Sequence, residues 1–330
     1  MSEILFAANI VLPMAILLAL GYIFKKSGFF TRDFVKRGNK LCFYVLLSCS
    51  LFKNLYDSVL DEVPYAMIVF TVLVILAEFV LSVFFAKAVS DKRNQIGVII
   101  QGVVRSNFAY VGIPLSTLMF TDSELISQTS NEISILSIFV IPMFNILAVT
   151  ALTLYGDTKE NGKVFSRTIN NLRKNPIIIS IVLGIAVLLF RMAVPQSAFF
   201  IKNNLGFVYK VVGYLAQMST PFALLLVGAG LDFSHSVSNM KKLMSVVAVK
   251  NLVFPGVVML VAYLTGLFNA VDFAVMISVF ASPTAVSSAV MAAELGGDED
   301  LANEIVIYTT MFSIISLLII IYVLKTMGCL

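Results

Sequence analysis

The chain has no tryptophan, three cysteines and one histidine in 330 residues, and only 13% of its residues are charged. Soluble chains carry about a quarter charged residues, so this shortage excludes an ordinary water-soluble globule. Cys42 and Cys49 share one apolar segment and Cys329 is next to last, a spacing that fits neither a disulfide framework nor a zinc site. With His235 alone, in a predicted polar loop, histidine-based catalysis and multi-histidine metal sites are not expected. GDTKENGK (156–163) imitates a phosphate loop, but five residues separate its glycines and Val164 stands where magnesium needs Ser or Thr. Neither an enzyme nor a cofactor is expected, and a net charge of +4 is no nucleic-acid footprint.

Strands of alternating polarity are missing too, which argues against a membrane β-barrel. What is present is apolar: 59% hydrophobic residues and a mean hydropathy of +0.96. Ten apolar runs, roughly 4–24, 39–56, 65–89, 96–120, 131–155, 176–193, 205–230, 242–266, 272–294 and 302–326, read as transmembrane helices. The fold class is therefore an all-α polytopic membrane protein. Met1 to Glu3 offer no positive region, so the first run reads as a retained helix. If alternate loops from the first face the cytoplasm, sixteen Lys and Arg lie there against five outside, which places both termini outside.

The polar stretch 156–175 divides the runs five and five, giving a first unit over 1–155, a cytoplasmic linker over 156–175 and a second unit over 176–330. A five-span unit repeated in tandem emerges inverted, because an odd number of crossings flips the second copy. Local echoes support a duplication: SGFF (27–30) and SAFF (197–200), SLF (50–52) and TPF (220–222), SNFAYVGIP (106–114) and SPTAVSSAV (282–290).

The fourth run carries Arg105, Ser106 and Asn107 in mid-span, with Pro114 where a helix would continue. In hydrocarbon every backbone N–H and C=O needs a partner, so unwound backbone survives only where it lines protein or water. Pro114 lacks an N–H and clashes with the preceding turn, and Gly112 loosens the chain before it, so a break is expected near 108–114. In the ninth run, Ser282-Pro283 reads as an N-cap followed by proline at the first helical position. Two broken helices at matched positions point to a transport site near the bilayer midplane. Each restarting half-helix exposes orphan N–H groups and its positive dipole end, a setting for a carboxylate. Asn107, Ser106, Thr284, Ser287 and Ser288 stand beside the breaks, able to bond a carboxylate or a dehydrated cation. For either helix alone, a plain proline kink tied down by polar groups explains the same residues.

Arg105 either holds an anion or locks a structural ion pair, since a charge at mid-membrane costs at least about 2.5 kcal/mol. On a continuous helix it points about 200° away from Asn107. Asn145, Gln101, Gln217 and Thr220 are candidate cavity-lining groups or interhelical ties. Glu78 and Lys250 occupy corresponding places in the two halves, as coupling candidates or as a structural salt bridge.

At these residues the chain resembles the auxin efflux carrier family, in its shorter bacterial form, over essentially its whole length. The likeness rests on NFAYVGIPL (107–115), IPMFN (141–145), PFALLLVGAGL (221–231), AAELGGD (292–298) and YTTMFS (308–313). Asn107 and Pro114 match the family's Asn seven residues before the Pro of Gly-Ile-Pro. The resemblance implies ten helices in two inverted five-helix repeats, with helices four and nine crossing at Pro114 and Pro283. It also implies a scaffold of helices one, two, six and seven, and Asn107 as a substrate residue. LSCSLF (47–52) has Ser48 where the family often has proline, and Thr284 and Ser287 differ from the plant hormone carriers. These departures point away from auxin itself; the resemblance to the bacterial form implies a metabolite such as malate or another carboxylate.

The expected function is secondary active transport of a small organic anion across the cell (plasma or inner) membrane by elevator-like alternating access. The lipid bilayer, protons or sodium ions are the further partners, with room for a homodimer. Two alternatives stay open: a sodium-coupled symporter of bile acid carrier type, and a membrane sensor or assembly protein that transports nothing.

Overall fold

The computed structural model describes residues 3–57, 64–112, 115, 119–156, 174–194, 200–230 and 233–330. Pro114 and nearly all of the 156–175 linker lie outside the described residues. In chain order the helices are α1 (Glu3–Lys26), α2 (Arg32–Leu41), α3 (Leu47–Asp57), α4 (Tyr65–Val89), α5 (Arg93–Val104) and α6 (Ser123–Tyr155). They continue as α7 (Pro176–Ala193), α8 (Phe200–Asn204), α9 (Gly206–Gly230), α10 (Phe233–Ala248), α11 (Phe254–Thr265), α12 (Ala270–Met276), α13 (Ser287–Leu295) and α14 (Glu299–Thr326). Wide π turns at Cys42–Leu46 and Val249–Val253 carry α2 into α3 and α10 into α11, and a third, Ile277–Ala281, extends α12.

Helix covers part of each of the ten apolar runs, and six stretches of described residues are long and apolar enough for a continuous crossing. α6 starts at Ser123 rather than near 131, because the Asp122 carboxylate accepts the Glu124 N–H and caps the polar first turn. Helix α10 likewise starts early and takes in His235, which the sequence places in a loop. Other ends follow the usual chemistry. Asn175 caps α7 with Pro176 behind it, Asn269 and Asp272 form a reciprocal capping box on α12, and Asp298 caps α14.

Two packed groups emerge. α1 lies along α9, and α3 packs on α7 and α9. The α1–α9 contact is so close that a Cβ on Gly21 would sit 2.1 Å from the Leu225 carbonyl oxygen, and one on Gly228 would sit 2.0 Å from that of Leu18. In the second group α5 packs between α4 and α6, while α14 packs on α10 and α13 and also lies against α1 of the first group. Every residue of α5 from Gln95 to Val104 is buried, so protein surrounds it on all sides. α4 is the opposite case. It buries one stripe (Met67, Thr71, Ile75, Glu78, Ser82, Ala86) and leaves Val69, Leu73, Val80 and Phe84 exposed, as a lipid-facing helix does.

Candidate functional site

Helix α5 stops at Val104, and α12 with its π turn stops at Ala281. The two freed segments then pass each other antiparallel. The Asn107 N–H donates to the Pro283 carbonyl at 2.7 Å, and the Ala285 N–H donates to the Arg105 carbonyl at 3.1 Å, so Ser106 faces Thr284 in a one-rung bridge. Each break thus supplies the backbone partners the other lacks. Thr284 completes the joint. Its N–H donates to Thr309 Oγ1 at 3.2 Å, and its hydroxyl donates to the Gly102 carbonyl at 2.6 Å, one of the carbonyls left open at the end of α5. Beyond the bridge, a π turn over Phe108–Gly112 crosses the Ile277–Ala281 turn so tightly that a Cβ on Gly112 would lie 2.4 Å from the Ser278 carbonyl oxygen. Thr284→Val keeps the shape but leaves the Gly102 carbonyl unpaired in a dry place. Thermal unfolding of the purified variant is expected to show a loss of about 1–3 kcal/mol, and an unchanged midpoint would mean that the joint does not depend on this bond.

The first opening seen among the described residues lies at 105–107, earlier than the expected 108–114, of which 113–114 lie outside the described residues. The second falls at Ser282-Pro283 as expected, but Pro283 is not the first helical position: α13 starts only at Ser287. Each opening is paired with the other. Pro283 takes part through its carbonyl, the one backbone group a proline can offer. A further consequence concerns direction. Arg105 has extended backbone angles (φ −81°, ψ 109°), and in an extended chain residues two apart share a face. The divergence of Arg105 from Asn107 expected on a helix does not arise.

Both side chains reach one cavity of about 60 Å³. Ser106 and Ser287 line it from the two crossing segments, Asn145 from α6, and Ser50 and Asn54 from α3. That volume is well below the roughly 300 Å³ of an ordinary ligand pocket, too small to enclose a metabolite. Arg105 is 5% exposed, and its hydrogen-bond partners among the described residues are neutral. Nη2 donates to Asn145 Oδ1 at 2.7 Å, while Nη1 donates to Met291 Sδ at 2.8 Å and to Ser288 Oγ at 3.5 Å. Among the described residues it makes no ion pair within 4.0 Å. Among the described residues, Asn107 Nδ2 and Ser106 Oγ are buried with no hydrogen-bond partner.

A family model described as membrane transport protein matches residues 6–321, almost the whole chain. The chain belongs to the membrane transport protein family, that of the auxin efflux carriers. It is accordingly a multi-pass membrane transporter. No curated relative matches it.

Of the residues singled out in this transporter's sequence, Arg105, Ser106, Asn107, Asn145 and Ser287 converge on the cavity. Thr284 is fully buried in the joint behind it, and Ser288 stands behind Arg105. Gln101 clips α5 to α13 by donating to the Ser288 carbonyl at 2.9 Å. Gln217 and Thr220 do not line the cavity, and neither do Glu78 and Lys250, which are buried elsewhere. Ser50 and Asn54 escape a reading of the sequence. The available signal is two polar residues four apart, hence on one face, within an apolar helix.

Proposed function

We propose that this transporter is a secondary active carrier of a small organic anion, a carboxylate such as malate, working by elevator-like alternating access across the cell membrane with both termini outside. Arg105 carries the reading. An uncompensated buried cation costs several kcal/mol, and the substrate carboxylate supplies the missing charge. The unpartnered Asn107 amide gives it a second, charge-assisted hydrogen bond. Ser106, Ser287 and Asn145 complete the polar lining, while Pro283, Thr284 and Ser288 hold the geometry from behind. Alternating access is supported by the cavity's place between the two packed groups, α3 on one side, α6 and the crossing segments on the other. An inverted five-helix repeat over 1–155 and 176–330 accounts for two like segments meeting antiparallel. The concentration of Lys and Arg on alternate loops supports the orientation.

A thermal-shift screen of carboxylates on the purified protein identifies the substrate first, because a ligand that prefers the folded state raises its stability. Uptake of that carboxylate into proteoliposomes then tests the site. Asn107→Ala is expected to lose about tenfold or more, as a hydrogen bond to a charged group is worth roughly 1.5–3 kcal/mol, while unfolding at the wild-type temperature. Wild-type uptake by this variant overturns the assignment.

A further inference from the structure

A second set of buried charges stands apart from the cavity. Glu78 and Lys250 are each 1% exposed. Glu78 lies on the single buried stripe of α4, and among the described residues both its carboxylate oxygens lack a hydrogen-bond partner, as does the Thr71 hydroxyl on the same stripe. Lys250 sits in the Val249–Val253 π turn, and its charge acts on Glu78, yet no ion pair within 4.0 Å joins them. A structural salt bridge needs contact geometry and satisfied oxygens to offset desolvation, and this pair has neither. The surrounding charges are few. α4 itself carries Lys87, the elements packed on it carry Arg93, Arg105, Glu124 and Glu132, and those packed on the π turn carry Lys241, Lys242, Glu299, Asp300, Glu304 and Lys325. Among the described residues, Glu78 and Lys250 are charges that act on each other.

The turn that holds Lys250 is also tied to the crossing segments. Asn251, its neighbour, donates from Nδ2 to the Thr309 carbonyl at 2.8 Å. The Thr309 hydroxyl accepts the Thr284 N–H, and Thr284 in turn holds Gly102. π turns inside helices recur at functional positions because they re-aim side chains and free backbone groups.

We propose that Glu78 is the coupling-proton site of this carrier, with Lys250 as its fixed counter-charge and the Asn251–Thr309–Thr284 chain as its link to the anion cavity. The inference rests on the carrier reading above. In the step, one proton from water adds to a Glu78 carboxylate oxygen, Lys250 stays an ammonium, and no other bond changes. Before the step the two charges cancel. Afterwards the Lys250 charge is left over, the buried set gains one positive charge alongside Arg105, and an anion at the crossing is favoured. Linkage makes the effect mutual: a bound anion favours the proton by the same factor. Anion and proton then cross together.

Infrared difference spectroscopy through a pH titration of the purified full chain in lipid nanodiscs reads the C=O stretch of protonated carboxyl groups directly. The wild type is expected to show a band from a carboxyl group in a dry environment that disappears as pH rises. Glu78→Gln removes that band. Lys250→Met carries its disappearance to higher pH by roughly one unit or more, because a nearby cation favours the ionised form by about that amount. A band that survives Glu78→Gln, or a titration that is the same with and without Lys250, overturns the proposal. Should Glu78→Gln fail to fold, Glu78→Asp retracts the carboxyl group by one methylene and must move the band; an unmoved band is equally fatal. No transported substrate enters the measurement. A negative result therefore counts against the proton site alone, whereas undiminished uptake by Asn107→Ala counts against the carrier reading.

Discussion

Arg105→Met is expected to reduce anion uptake at least about 30-fold while unfolding at a temperature no lower than the wild type. The first part follows from the cost of leaving a carboxylate buried opposite no cation, about 2 kcal/mol or more. The second part separates the substrate role from a structural one. Removing the guanidinium leaves Asn145 Oδ1 and Ser288 Oγ without their donor, a loss of about 1–3 kcal/mol. It also removes a buried charge that has no ion-pair partner among the described residues, and that gain is several kcal/mol. The two roughly offset each other or favour the variant. Uptake into proteoliposomes and thermal unfolding of the same preparation read both quantities. A variant that transports normally but melts far below the wild type would show that Arg105 serves the fold. Arg105→Lys sharpens the comparison: it keeps the charge but not the planar fork, and intermediate uptake is expected.

The other large effect is on folding. In Gly228→Val the new Cβ meets the Leu18 carbonyl oxygen at 2.0 Å, while Gly21 on the facing helix stands in the same relation to Leu225. Backbone faces backbone, and no flexible side chain can yield. α1 and α9 must separate along their whole contact, for an expected loss of about 3 kcal/mol or more. Size-exclusion profiles of detergent-solubilised protein should show the folded peak lost to aggregate. Gly213→Ala, on the same helix, is the control: its Cβ meets only Lys53 Cε at 3.5 Å, and its profile should match the wild type. A normal profile for Gly228→Val would mean that the two helices do not approach as closely as described.

These outcomes bear on what the sequence alone makes legible. Hydropathy is a sum over many residues, so the helical membrane architecture and the special status of the fourth and ninth runs are readable without a structure. Break positions are another matter. Ser282-Pro283 marks the second opening from its own turn, but the opening at Arg105–Asn107 stands opposite Pro283 and Ala285, which pair with it. No local rule encodes a partner so far along the chain. The same blindness applies to Arg105 and Asn107. Helical spacing sets them apart, and only the extended backbone brings them to one cavity. Thr284 adds a tertiary fact of another kind: a polar residue beside a break reads as a ligand, and the structure shows its hydroxyl donating to the Gly102 carbonyl. Ser50 and Asn54 are missed because their relevance depends on which helix lies opposite, and that is a tertiary fact.

The one-rung bridge also imposes an order in time. Thr284 holds Gly102 across 182 residues of chain, so during synthesis the first segment enters the membrane long before its partner exists. At about 5–20 residues per second the wait is on the order of 10–40 s. Throughout it, the Asn107 N–H and the Gly102 carbonyl lack the partners they have in the folded chain, and in hydrocarbon only a helix of their own satisfies them. The first segment therefore enters as a continuous helix and opens at Arg105–Asn107 only when the ninth run arrives to pair with it.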